Sequence, residues 1–169
     1  VLHCDVDEFL VIHEGTGRIE ELIGTRTTDV PFLAMGFNWR IFGTCGVEDF
    51  VDQPVHQQFA LALPLKGSGS SMMKMMHRQP RWFQSLGEHG PRGWDLARFG
   101  RSPEGPGMYL VNAKGTPVPH WSPEAPRYIR TLAKPYATHA RAQMNHYMLR
   151  SAETFSLKAG TRAPVSLTD

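Results

Sequence analysis

Three carboxylates, Asp5, Asp7 and Glu8, stand within four residues, between Val1-Leu2-His3-Cys4 and Phe9-Leu10-Val11-Ile12, in a stretch that otherwise reads as one buried strand. Charge embedded in a strand is costly unless a cation or a ligand balances it. In an extended chain Asp5 and Asp7 share a face about 7 Å apart, so both can converge on one metal ion, directly or through its waters. Glu8 then falls on the opposite face, where it orients a neighbour or pairs with a basic residue. A core strand starting at residue 1 leads us to expect a piece of a larger fold.

The elements that must position these groups are read from punctuation and periodicity. Residues 1–12 form the first strand, with the acids near its C-terminal end, followed by a turn at Glu14-Gly15-Thr16-Gly17 and a short helix around Ile19 to Ile23. Strand ends of this kind are where open α/β sheets place ligands. A second strand runs from Phe32 to Phe42 and is closed by Gly43-Thr44-Cys45-Gly46. Pro54 and Pro64 confine a short helix over 55–63, and the Lys66 to Ser71 loop leads into a methionine-rich strand, Met72 to Met76, with Lys74 its odd member. Residues 80–106 lack periodicity and read as an active-site or cover loop. Residues 108–118 read as a hairpin turning at Lys114-Gly115, whereas 121–138 are interrupted by three prolines. Met144 to Leu149 suit a strand, and Ser151 caps a helix from Ala152 to Ala159 that stops at Gly160 and buries Ala152, Phe155 and Ala159.

Composition narrows the class. A chain of 169 residues supports one domain, and 16 Gly with 13 Pro predict many turns and long connections. The net charge of +2 gives no strong field, so nucleic acid is not implied. Cys4 and Cys45 are too few for a disulfide scaffold and lack zinc-site spacing, which favours a reducing, cytoplasmic compartment, with Cys4 as a small buried side chain. No apolar run is long enough to span a bilayer, so any peripheral membrane association would come through regions outside this chain.

His3-Cys4-Asp5-Val6-Asp7-Glu8-Phe9-Leu10, Asn38-Trp39-Arg40-Ile41-Phe42-Gly43 and Asn145-His146-Tyr147-Met148-Leu149-Arg150-Ser151-x-Glu153-x-Phe155 together resemble GT-A glycosyltransferases. The group is the family 2-like proteins and their family 92 relatives, matched in order over residues 1 to about 162. The resemblance implies an α/β fold: the C-terminal part of a GT-A, Rossmann-like domain with a mixed sheet, its N-terminal nucleotide-binding strands missing. It implies a transferase, of inverting course, that moves a sugar from a nucleotide-sugar donor to a glycan, lipid-linked or other hydroxyl acceptor. Asp5 and Asp7 would hold Mn²⁺ or Mg²⁺ against the donor diphosphate, and His146 would complete the metal shell or stand as a structural histidine. Lys74 and His89 would contact donor phosphate and line the site.

The guanidinium fork of Arg150 matches a phosphate oxygen pair, although a salt bridge to Glu153 is equally accessible. Asp95 and Glu88 are candidates for the base that deprotonates the acceptor, by loop location alone. Trp39 reads as core, whereas Trp82 and Trp94 lie in polar sequence and suit stacking on a sugar. Two other classes stay open: a metal-dependent phosphoesterase using Asp5, Asp7, His89 and His146, and a non-catalytic carbohydrate-binding or degenerate transferase module.

Overall fold

The computed structural model describes residues 1–24, 32–67, 69–99 and 109–159. In chain order the elements are β1 (Glu8–Ile12), α1 (Ile19–Gly24), β2 (Phe32–Ile41), α2 (Val55–Gln58), β3 (Met73–His77), β4 (Phe83–Leu86), β5 (Pro91–Trp94), α3 (Leu96–Phe99), β6 (Tyr109–Asn112), β7 (Pro117–Val118), α4 (Pro126–Arg130), β8 (Ala142–His146) and α5 (Ala152–Ala159). They make an α/β fold with a mixed sheet. Among the described residues no helix is long and apolar enough to cross a membrane.

β2 organises the sheet. Its first eight residues are all buried, as a nearly unbroken apolar run requires when both faces are covered. β3 pairs with it antiparallel from Ala34↔His77 to Asn38↔Met73, β6 parallel over Phe32 to Gly36, and β8 parallel from Trp39↔Met144 to Ile41↔His146. Met35, Phe37 and Trp39 enter one core with Leu22 and Met144, while Ala34 faces the other with Met73, Met75 and Leu110. At Gly36 the partner strand packs close, because a Cβ at that position would stand 2.7 Å from the Met73 sulfur and that side chain would have to shift.

The N-terminal segment runs beside two strands in succession. Leu2 bridges Met76 of β3, and β1 then pairs antiparallel with β8 from Glu8↔His146 to Ile12↔Ala142. The acids therefore lie at the changeover into β1, with Glu8 its first residue, not near the C-terminal end of a continuous strand. The Glu8 amide donates to the Asp5 carbonyl at 3.1 Å, so the segment is a tight turn. Cys4, expected to be buried, is exposed.

Within the active-site or cover loop expected over 80–106, residues 83–94 form an antiparallel hairpin, with Phe83↔Trp94 in register and their rings stacked at 5.1 Å. Residues 100–106 of that prediction, Met108 of the 108–118 hairpin and the Gly160 helix stop lie outside the described residues. Trp94 is buried and not available to a sugar, and Trp82 packs partly buried against the same cluster. The cap of α5 is as expected: the Thr154 amide donates to the Ser151 hydroxyl at 3.2 Å. Its Ala152 and Glu153 amides reach the Val47 and Glu48 carbonyls at 3.1 and 2.9 Å. The expected apolar face is not buried, since Ala152, Phe155 and Ala159 are exposed.

Candidate functional site

The acidic turn splits its carboxylates between two environments. Asp5 and Glu8, three residues apart across the turn, share one cation: Lys74 Nζ lies 2.9 Å from Asp5 Oδ2 and 3.1 Å from Glu8 Oε2. It also donates to the Glu88 carbonyl at 2.8 Å. An ammonium has three protons, and three acceptors surround this one. Lys74 is buried inside the methionine strand, so its expected contact with donor phosphate is replaced by an internal role. Burial pulls the Lys74 ammonium down, but hydrogen bonding to Asp5 and the charge of Glu8 outweigh it and hold it above its ordinary value. Burial likewise pushes Asp5 up, yet the bond and charge of Lys74 leave its carboxyl below the usual range. Asp5 thus serves Lys74, and Glu8, expected on the opposite face, joins it.

Asp7 points elsewhere. Its Oδ1 lies 3.7 Å from His146 Nε2, and its Oδ2 lies 3.7 Å from Lys158 Nζ and 4.0 Å from the Arg150 guanidinium. A largely buried carboxylate is therefore ringed by an imidazole and two cations at distances longer than hydrogen bonds. The ladder fixes this arrangement, because the Tyr147 amide donates to the Asp7 carbonyl at 2.9 Å. Tyr147 turns to the packed side and stacks on Phe42 at 4.6 Å. Arg150 comes from the turn after β8 and Lys158 from α5. The competing Arg150–Glu153 pairing is displaced, since Glu153 accepts from the Phe50 amide at 2.7 Å.

His146 is buried against Trp39, ring centroids 4.2 Å apart. Burial lowers its basicity, and the surrounding Glu8, Asp7 and Asp5 charges only partly counter this. A neutral imidazole keeps a lone pair for a ligand. Among the described residues its Nδ1 has no hydrogen-bond partner, and neither has Oε1 of Glu8, the residue directly opposite in the β1–β8 ladder. His89 also lies against Trp39, 5.6 Å between centroids, with Nδ1 held by the Met73 carbonyl at 3.0 Å. Glu88 approaches the acidic turn through its main-chain carbonyl. Asp95 follows the small hairpin, its amide bonded to the Trp82 carbonyl at 2.9 Å.

Beside Asp7 opens a cleft of about 380 Å³ lined by Val6, Met148, Arg150, Phe155, Leu157 and Lys158. Lys158 is the residue that sequence reasoning missed; a lysine in the last turn of a helix has an ordinary solvated reading, and only the docking of α5 brings it to Asp7. Among the described residues no group of three or more His, Cys, Asp or Glu side chains converges to hold a metal ion. Asp7 and His146 are a two-donor set, and carboxylate plus neutral imidazole suits Mn²⁺ or Mg²⁺ only if substrate oxygens and water supply the rest. In comparisons with known proteins, no family profile, no curated protein and no solved structure matches this chain.

Proposed function

We propose that the Asp7 cleft is the diphosphate end of a nucleotide-sugar site, and that the protein belongs to an enzyme transferring a sugar to a hydroxyl acceptor. The observation that carries this reading is the convergence of His146, Arg150 and Lys158 on the carboxylate of Asp7, which with Arg150 and Lys158 lines the cleft. A carboxylate and an imidazole provide donors for a divalent ion, and two cations flank them where an anionic ligand would add its charge. When bound, such an ion neutralises charge on the diphosphate as the sugar–phosphate bond breaks.

The chain's own groups have separable tasks. Arg150 and Lys158 bind and orient phosphate oxygens. Lys74 neutralises Asp5 and Glu8, which leaves Asp7 the carboxylate of the turn that faces the cleft. The negative charge of Glu8, opposite His146, favours the protonated imidazole and so partly offsets its burial. A phosphoesterase with two metal ions is less well supported, because two of the three carboxylates of the turn are engaged by Lys74.

The test is calorimetric titration of the folded chain with UDP and with GDP, in Mn²⁺ and again in EDTA. We expect Mn²⁺-dependent binding of one nucleotide that Asp7→Ala weakens at least about tenfold. Binding unaffected by EDTA and by Asp7→Ala would favour the non-catalytic module instead.

A further inference from the structure

A second cleft, of about 570 Å³, lies between the β4–β5 hairpin and α4 and shares no lining residue with the Asp7 cleft. It is lined by three arginines, Arg92 from β5 and Arg127 and Arg130 from α4, with Pro123, Pro126 and Ile129 as apolar wall. Spacing by three places Arg127 and Arg130 on one side of their helix. Among the described lining residues the one acid, Glu124, is already engaged: one carboxylate oxygen accepts from the Trp94 amide at 3.0 Å and the other from the Ser122 hydroxyl at 2.5 Å. Among the described residues none of the three arginines has a carboxylate within 4.0 Å.

One guanidinium group is held in place without an acid. Arg127 lies over the Tyr128 ring, 4.6 Å from its centroid, and donates to the Tyr128 hydroxyl at 2.6 Å. Arg92 passes the hairpin turn so closely that a Cβ on Gly87 would stand 2.7 Å from its Nε, and among the described residues that buried Nε has no hydrogen-bond partner. Bringing three like charges to one concavity is unfavourable unless an anion occupies it, and a guanidinium held before the ligand arrives loses less freedom on binding.

We infer that this cleft binds a small organic oxyanion, a carboxylate or phosphate monoester carried on an apolar body, with the arginines holding the anionic group and Pro123, Pro126 and Ile129 the body. The volume suits one small molecule. The site is independent of the proposed metal-dependent chemistry.

The test uses phenyl phosphate, benzoate and uncharged benzyl alcohol as probes, titrated into the chain and followed by amide chemical shifts. Saturable shifts at Ile129 and Arg130 are expected with at least one anion, bound about tenfold or more tighter than benzyl alcohol. Which anion binds identifies the group recognised. Arg130→Gln, at an exposed position, should weaken binding about tenfold while keeping the native amide spectrum, and added salt should weaken it in the unaltered chain. Asp7→Ala should leave these affinities unchanged, which separates this site from the Asp7 cleft. Equal binding of the neutral probe, an unchanged affinity in Arg130→Gln, or no saturable shift with either anion would overturn the assignment.

Discussion

Lys74 is the residue on which the N-terminal turn depends. Its side chain is 1% exposed and that of Glu8 is fully buried, so removing the cation leaves an uncompensated carboxylate in the interior. Lys74→Met matches the neighbouring methionines in shape and should still lower stability by about 3 kcal/mol or more, measured by chemical denaturation. Lys74→Met with Glu8→Gln should recover most of that loss, because both charges are then gone. A single variant as stable as the unaltered chain would show that Lys74 does not neutralise this turn. The acids themselves were legible in the sequence as an anomaly needing a counter-charge. Their partition was not: alternation in an extended strand pairs Asp5 with Asp7, whereas the turn pairs Asp5 with Glu8 and turns Asp7 toward β8. The counter-charge came from 69 residues away, and no local pattern announces such a partner.

At the scale of elements, strong local signals predicted the structure and weak ones did not. The apolar run of β2, the methionine strand β3, the Gly115 turn between β6 and β7 and the Ser151 cap of α5 each have a single short-range cause, and each appears where expected. The β4–β5 hairpin was hidden because strands of four residues carry too few alternations to read, and Trp94 looked exposed among polar neighbours although it stacks on Phe83. Periodicity correctly located α5 but misassigned its apolar residues to the core. Phe155 is 52% exposed and lines the Asp7 cleft, so Phe155→Ala should change stability by less than about 1 kcal/mol. Phe37→Ala, in the main core, should cost about 3–5 kcal/mol by the same denaturation assay. Comparable losses in the two variants would mean that α5 packs its phenylalanine inward.

At the scale of the whole molecule, the sheet brings the late strand β8 between β1 and β2, and that placement makes a site from residues at opposite ends of the chain. Asp7 and His146 were both recognisable as candidates from residue type and resemblance; their meeting follows from the Glu8↔His146 register, which sequence spacing does not reveal. Arg150 and Lys158 join them because α5 is docked by its capped N-terminus onto residues 47 and 48. The central claim is that Asp7 and His146 hold a divalent ion at the edge of the Asp7 cleft. Pulsed electron paramagnetic resonance of Mn²⁺ added to the folded chain with the nucleotide diphosphate tests it most directly, through the coupling of the ion to a histidine nitrogen. The account predicts one such coupling, lost in His146→Gln and in Asp7→Ala; no histidine coupling, or one that survives His146→Gln, would contradict it.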